Sequence, residues 1–291
     1  MARTNTPRRR TLLALGAGAA LTAAVAPPTH AAGRGVFAGL EEEYAARLGV
    51  FAHDTATGRT LTHRADERFP MCSVFKAPAA AAVLRDGVDP AKRIHYTQQE
   101  LTDSGYAPVT EKHLDTGMTV EELCAAAVSH SDNAAANFLL RELGGPTAIT
   151  RFARSLGDPV TRLDRWEPDL NSAEPWRTTD TTTPHAIART YAKFLLGDVL
   201  RPADRTRLTS WMVANSTNVT RFRAGLPADW ILADKTGGAS SYGVANDVGV
   251  VWPPGRAPLV IAVLTTTYAA EGPSKNELVA KAAARVAATL A

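Results

Sequence analysis

Strand-type patterning occurs near the two ends of this chain and nowhere between them, which limits the possible folds more than any other feature. Residues 49–54 and 59–63 are short extended segments joined through Thr57-Gly58, a hairpin signal. The next strand patterns lie at 230–233, 244–252 and 259–267, the last a continuous apolar run suited to a buried central strand. Helical spacing of apolar residues fills the interval at 74–84, 120–129, 134–143, 149–156 and 185–196, and flanks the strands at 36–48 and 274–290. One antiparallel sheet must then be assembled from both chain ends, flanked by helices, with the middle helices inserted as a body of their own. The fold class is an α/β (α+β) two-lobe architecture: a discontinuous lobe of 32–66 plus 214–291 and an all-helical lobe of 67–213. A crevice between such lobes is where a small-molecule site is expected. With 291 residues, 45% of them apolar, the chain can bury a core of this size.

Local signals mark several helix ends. Thr119-Val120-Glu121-Glu122 is a capping box, Thr183-Pro184 suits a helix entry, and Gly144-Gly145-Pro146 ends a helix. Glu41-Glu42-Glu43 is expected on a solvated face. Pro78 conflicts with the helix over 74–84, because proline past the first turn removes a hydrogen bond and crowds the preceding turn; a local bend is expected.

The first 31 residues read as an export signal. Arg8, Arg9 and Arg10 precede an apolar stretch too short to span a bilayer, and Thr29-His30-Ala31 suits cleavage before Ala32. Arg9-Arg10-Thr11-Leu12-Leu13 resembles a twin-arginine signal, and three arginines also suit the ordinary secretory route. This leader holds four arginines and no acid, so its removal leaves the chain near neutrality and argues against a nucleic-acid partner. The seven histidines are scattered without metal-ligand spacing, so neither metal nor cofactor is expected. Cys72 and Cys124 form an even count, which in an exported protein invites a disulfide.

Four short strings carry the chemistry. Ser73-Val74-Phe75-Lys76 puts a hydroxyl and an amine on one helix face, near backbone N–H groups free to meet a developing negative charge. Ser131-Asp132-Asn133 precedes a helix and alone is equally a helix cap. Glu167-Pro168-Asp169-Leu170-Asn171 sits in a polar, proline-punctuated stretch over 162–180 that reads as an ordered loop. Lys235-Thr236-Gly237 ends a strand signal and is followed by Gly238; a cation and a hydroxyl at a strand edge suit a carboxylate, and the glycines permit close approach.

In this order and context the strings resemble the class A serine β-lactamases, and the resemblance covers nearly all of the chain after the leader. It implies hydrolysis of the β-lactam ring of penicillins or cephalosporins through a seryl acyl-enzyme. Ser73 is then the nucleophile with Lys76 beside it, and Ser131 passes a proton to the leaving nitrogen. Glu167 activates the hydrolytic water, which Asn171 helps hold. Asn133 touches the substrate and places the lysine, and Asp132 is structural. Lys235, Thr236 and Gly237 receive the substrate carboxylate, and the N–H groups of Ser73 and Gly238 form the oxyanion hole. Arg221 supplies the second cation that other members place where this chain has Val244 and Ala245. Tyr106 walls the cleft, an Arg165–Asp180 salt bridge pins the loop, and a cis peptide precedes Pro168. The segment 238–242 is one residue longer than usual, which bears on substrate preference. Free thiols are implied as well, since Ala80 stands where some members carry the partner of Cys124.

The base for acylation stays open between Lys76, whose unperturbed pKa of about 10.4 would leave it charged, and Glu167 acting through water. A penicillin-binding DD-peptidase or a slowly deacylating β-lactam sensor shares some parts. Glu167 and Asn171 argue against the first, and the lack of an evident output domain against the second. The partner expected is a small-molecule β-lactam, with no nucleic acid and no stable membrane anchor. The protein is expected to be a monomer, secreted or held in the cell-envelope space.

Overall fold

The computed structural model describes residues 1–2, 30–32 and 35–291. Its strands in chain order are β1 (His30–Ala32), β2 (Arg47–Asp54), β3 (Thr60–His63), β4 (Phe69–Pro70), β5 (Arg93–Ile94), β6 (Met118–Thr119), β7 (Thr181–Thr182), β8 (Ile231–Gly238), β9 (Ala245–Trp252) and β10 (Leu259–Thr266). One sheet in the order β1-β3-β2-β10-β9-β8 joins the two chain ends; β4 pairs with β7 and β5 with β6. Every pairing is antiparallel except β1 with β3. The apolar run 259–267 supplies β10, which is buried throughout between β2 and β9. Its alternation divides the core: Val260, Ala262 and Leu264 join the cluster shared with the helical body, while Leu259, Ile261 and Val263 join a second cluster on the other face.

The helices are α1 (Leu40–Tyr44), α2 (Lys76–Arg85), α3 (Gln98–Ser104), α4 (Val120–Ser129), α5 (Asn133–Glu142), α6 (Thr147–Ser155), α7 (Pro184–Leu195), α8 (Pro202–Val213), α9 (Phe222–Gly225) and α10 (Asn276–Leu290). Alanine-rich α2 is buried from Lys76 to Leu84 and packs against α4, α5, α6 and α8. A helix apolar on all sides belongs at the centre of such a body. The capping box at Thr119 and Glu122 forms, and Thr183 caps α7 with Pro184 in its first turn.

Several local expectations give way to tertiary structure. The helix expected over 36–48 is only α1, because Ala45 turns left-handed and Arg47 already pairs with Thr266 of β10. Glu41 does not lie on a merely solvated face; it accepts from the Leu48 N–H at 2.9 Å and from Arg64 Nε at 2.8 Å. The bend expected from Pro78 takes another form. A 3₁₀ turn over Cys72–Phe75 precedes α2, so Pro78 falls in the first α-helical turn, where its missing N–H is not needed. Helices α3 and α8 were not expected, since they bury only Leu101 and Ser104, and Asp204, Leu208 and Met212, too few for periodicity.

Both cysteines are free and buried. Among the described residues no helix is long and apolar enough to cross a membrane. Most of the expected leader lies outside the described residues; its last two, His30 and Ala31, pair with Thr60 and Leu61.

Candidate active site

Ser73 sits in the 3₁₀ turn and Lys76 opens α2. Residues three apart eclipse on such a turn, so the hydroxyl and amine share a face although the α-helix expected to carry Ser73 begins later. Cys72 beside the nucleophile has φ 47°, a left-handed conformation that costs a non-glycine residue about 1–3 kcal/mol. Its surroundings hold it there. Asn246 Nδ2 donates to the carbonyls of Pro70 (2.9 Å) and Met71 (3.2 Å), and Tyr191 Oη donates to that of Val74 at 2.6 Å. Gly237 approaches the same turn so closely that a Cβ there would lie 2.9 Å from the Met71 oxygen. Burial pushes the Cys72 thiol well above its ordinary pKa, so it is unreactive packing.

The lysines converge on Ser131. Lys76 is wholly buried; its Nζ donates to Asn133 Oδ1 (2.6 Å) and the Ser131 carbonyl (2.8 Å) and lies 3.0 Å from Glu167 Oε1. Burial lowers its pKa and Glu167 opposes that shift. Lys235 Nζ donates to Ser131 Oγ at 3.1 Å, and Lys76 Nζ is 3.5 Å from the same oxygen. Burial first, then repulsion from Lys76, holds Lys235 well below the usual lysine range. With two lysine N–H donors on its oxygen, the Ser131 hydroxyl keeps its own proton free to donate. Ser131 has φ 59°, and Asp132 stabilises this corner by capping α5 and accepting from the N–H groups of Val109 and Thr110.

The loop carrying Glu167 is clamped at both ends. Arg165 Nε donates to Asp180 Oδ2 at 2.6 Å, and Asp180 Oδ1 accepts from the N–H groups of Asp164 and Arg165. Asn137 of α5 bonds the Glu167 backbone reciprocally, accepting from its N–H at 3.0 Å and donating to its carbonyl at 2.9 Å. The Glu167–Pro168 peptide is cis. This places Glu167 Oε1 3.4 Å from Ser73 Oγ, while Asn171 Nδ2 donates to Oε2.

On the far side of the crevice, β8 is the sheet edge, and its last residue, Gly238, pairs with Ala245. Thr236 Oγ1 hydrogen-bonds Thr217 Oγ1. Arg221 is partly buried behind the strand: Nη1 donates to the carbonyls of Gly237 (2.7 Å) and Asn246 (2.8 Å), and Nε to Asn276 Oδ1 (2.8 Å). A Cβ on Gly238 would stand 3.1 Å from Arg221 Nη2, so that guanidinium edge reaches the end of β8. Asp234 and Asp247 are buried nearby, and burial raises both pKa values, Asp247 well above the carboxylate range because Asp234 also repels its charge. Tyr106 is 56% exposed and borders a cavity of about 660 Å³ with Asn133, Asn171, Gly238 and Ser240. Tyr242, at the end of the segment 238–242, packs edge-on against Trp176 at 5.6 Å, joining that segment to the loop over 162–180.

Of the residues singled out in the sequence, Ser73, Lys76, Ser131, Glu167 and Lys235 are joined by direct contacts, Asn133 touches Lys76, Asn171 touches Glu167 and Arg221 touches Gly237. The reading missed Asn137, Asn246, Thr217 and Asn276, which act by holding backbone or neighbouring side chains. The legible trace was a polar side chain inside an apolar element, as at Asn137 in α5 and Asn246 in β9.

The Beta-lactamase enzyme family matches residues 36–290. A β-lactamase of Kitasatospora aureofaciens is 60% identical, covering 98% of this chain and 97% of that one. The carbapenem-hydrolyzing β-lactamase KPC of Klebsiella oxytoca is 47% identical over 94% of this chain and 89% of its own. Among solved structures, the β-lactamase from Streptomyces albus G superposes with a TM-score of 0.86 at 58% identity, covering 88% of this chain and 98% of that one. A variant of the ancestral Gram-negative class A enzyme gives 0.84 at 52% identity, with 89% and 98% covered. The chain belongs to the class A β-lactamases, serine hydrolases that open the ring of β-lactam antibiotics.

Proposed function

We propose that Ser73 attacks the lactam carbonyl and that Glu167 serves both halves of the reaction. The observation that carries this reading is the 3.4 Å between Ser73 Oγ and Glu167 Oε1, with Lys76 3.0 Å from the same carboxylate oxygen. Lys76 Nζ is engaged by Asn133, Ser131 and Glu167, so it does not take the seryl proton itself but links Glu167 to Ser131, whereas the Ser73 hydroxyl donates to the carboxylate. Glu167 draws the seryl proton as Oγ bonds to the carbonyl carbon. The oxyanion forms against the N–H groups of Ser73 and Gly238, and donors of this kind contribute about 10²- to 10³-fold each. Ser131 delivers a proton to the lactam nitrogen as the C–N bond breaks and regains one from Glu167 through Lys76 Nζ, which lies 3.0 Å from Glu167 Oε1 and 3.5 Å from Ser131 Oγ, so that Glu167 is again a carboxylate. Water held by Glu167 and Asn171 then gives a proton to the carboxylate as its oxygen bonds to the ester carbon, and Glu167 returns that proton to Ser73 Oγ as the C–O bond breaks. Lys235, Thr236 and the Arg221 edge receive the substrate carboxylate, Asn133 and Tyr106 border the rest of the substrate, and Gly237 keeps β8 close to the nucleophile.

Glu167→Ala should slow acylation and slow deacylation more, by about 10²- to 10⁴-fold or beyond, so that an adduct accumulates with a penicillin. Intact-mass spectrometry reads this directly. Full turnover without an adduct would refute the role of Glu167, and Ser73→Ala should form no adduct at all.

The leader supports export and cleavage near Ala31/Ala32, which would leave β3 as the sheet edge. We also place the lobe boundaries at 66/67 and 213/214 and take the protein to act on free drug as a monomer.

A further inference from the structure

The cavity of about 660 Å³ beside Tyr106 and Asn133 has two walls drawn from distant parts of the chain. Pro168, Asp169, Asn171 and Ser172 of the loop over 162–180 form one, and the residues from Gly238 to Ser241 form the other. Each wall has its own anchor. The clamps from Asp180 and Asn137 act on the loop at 164–167. The other wall runs into Tyr242, whose φ of 56° is unfavourable for a bulky aromatic residue. Neighbouring backbone holds it there: the Tyr242 N–H donates to the Ala270 carbonyl at 2.9 Å, and its carbonyl accepts from the Thr267 N–H at 2.7 Å.

Two contacts then join wall to wall. Ala173, next after Ser172, is buried in a small apolar cluster with Cys72 and Val244, against which Ala239 and Tyr242 pack. Farther along the loop, the Trp176 and Tyr242 rings meet with centroids 5.6 Å apart and planes at 87°, an arrangement that aromatic pairs favour. Trp176 is 65% exposed, so it contributes little to any core. A turn over 174–177 presents it, closed by the Arg177 N–H on the Glu174 carbonyl at 3.1 Å and by the Arg177–Glu174 ion pair at 3.2 Å. The ring serves the join between the walls, not the interior.

We propose that Trp176 is a specificity-determining residue: its contact with Tyr242 fixes the spacing of the two walls and favours β-lactams with a compact amide side chain over those branched next to the amide. This rests on the reading above, in which Asn133 and Tyr106, both bordering the same cavity, flank the rest of the substrate. Neither ring is among the residues that line the cavity, so selection acts through wall spacing and not through contact with the drug. A side chain bulky at its first carbon needs the walls apart, and parting them breaks the ring contact. A compact side chain leaves the contact in place. The cost falls on one class of substrate only, which is what discrimination requires.

Cephalothin and cefotaxime share one nucleus and differ only in the acyl group on the ring amine, unbranched in the first and carrying a methoxyimino branch in the second. The ratio of their kcat/KM values tests the proposal. Trp176→Ala should shift that ratio toward cefotaxime by about 3- to 10-fold, the size of one aromatic pair. Tyr242→Leu should shift it as much, the double variant no further, and Trp176→Phe, which keeps a ring, much less. Because Trp176 is exposed, the alanine variant should fold, and its melting temperature checks this. An unmoved ratio, equal losses for both drugs, or additive shifts in the double variant would overturn the proposal. Intact-mass detection of adducts between Glu167→Ala and each cephalosporin tests the underlying reading. If they form while the ratio stays fixed, only the role of Trp176 falls; if neither forms, both fall.

Discussion

Two carboxylates buried on neighbouring strands cannot both carry charge without a large penalty, and Asp234 and Asp247 are in that position. Asp234 Oδ1 accepts from Asn218 at 2.7 Å, and Asp247 Oδ2 from the Phe222 N–H at 3.1 Å. Asp247, with the stronger upward shift, is the one that keeps the proton. It stays protonated when folded at pH values where an unfolded carboxyl, near 3.9, has lost its proton. Stability therefore falls as pH rises from the unfolded value through the folded one. Asp247→Asn has nothing to ionise and retains a donor for Asp234, so its melting temperature should gain on the wild type's between pH 4 and pH 9. Parallel curves would show that Asp247 titrates like an ordinary acid. The polar pair Asn246-Asp247 inside an apolar strand was visible in the sequence, but that it faces Asp234 depends on strand register.

At the scale of elements, catalysis depends on how α5 holds the loop over 162–180. The reciprocal pair between Asn137 and the Glu167 backbone is a two-point clamp, each hydrogen bond contributing about 0.5–1.5 kcal/mol. Asn137→Ala should cost about 1–3 kcal/mol of stability and shift the rate-limiting step toward deacylation, with acyl-enzyme detectable by rapid-quench mass spectrometry. Wild-type kinetics with only a lower melting temperature would confine Asn137 to a structural role. The loop itself was legible, because Glu167, Asn171, Arg165 and Asp180 lie within or beside a proline-punctuated stretch. Its clamp was not, since Asn137 is 30 residues away in sequence. The same reason hid α3 and α8. Thr97 and Glu100 form a capping box and Pro202 opens α8, so the local signals existed, but few apolar residues accompanied them.

For the whole molecule, the sheet that joins the chain ends has a described core on both faces that begins at Phe37. β1 adds three paired residues at the edge. A chain starting at Ala32 should therefore melt within about 3 °C of the full chain, because 1 kcal/mol shifts a domain of 150–250 residues by about 2–4 °C. A larger drop in calorimetry would make residues 1–31 part of the fold. The four arginines within residues 1–31 also matter at this scale, since they account for the excess of basic over acidic residues in the chain.

The sequence by itself determined which residues could do chemistry and which segments could form a sheet: a hydroxyl–amine pair, a carboxylate loop, a strand-edge cation and a β10 run apolar enough to lie at the centre. These are properties of residue type and short-range spacing. Only the tertiary structure decided that the two lysines meet on one seryl oxygen, that Ser73 rides a 3₁₀ turn braced by Asn246 and Tyr191, and that Arg221 reaches the end of β8 from behind. Contacts between residues far apart in the chain are set by packing and strand register, which local patterns do not encode.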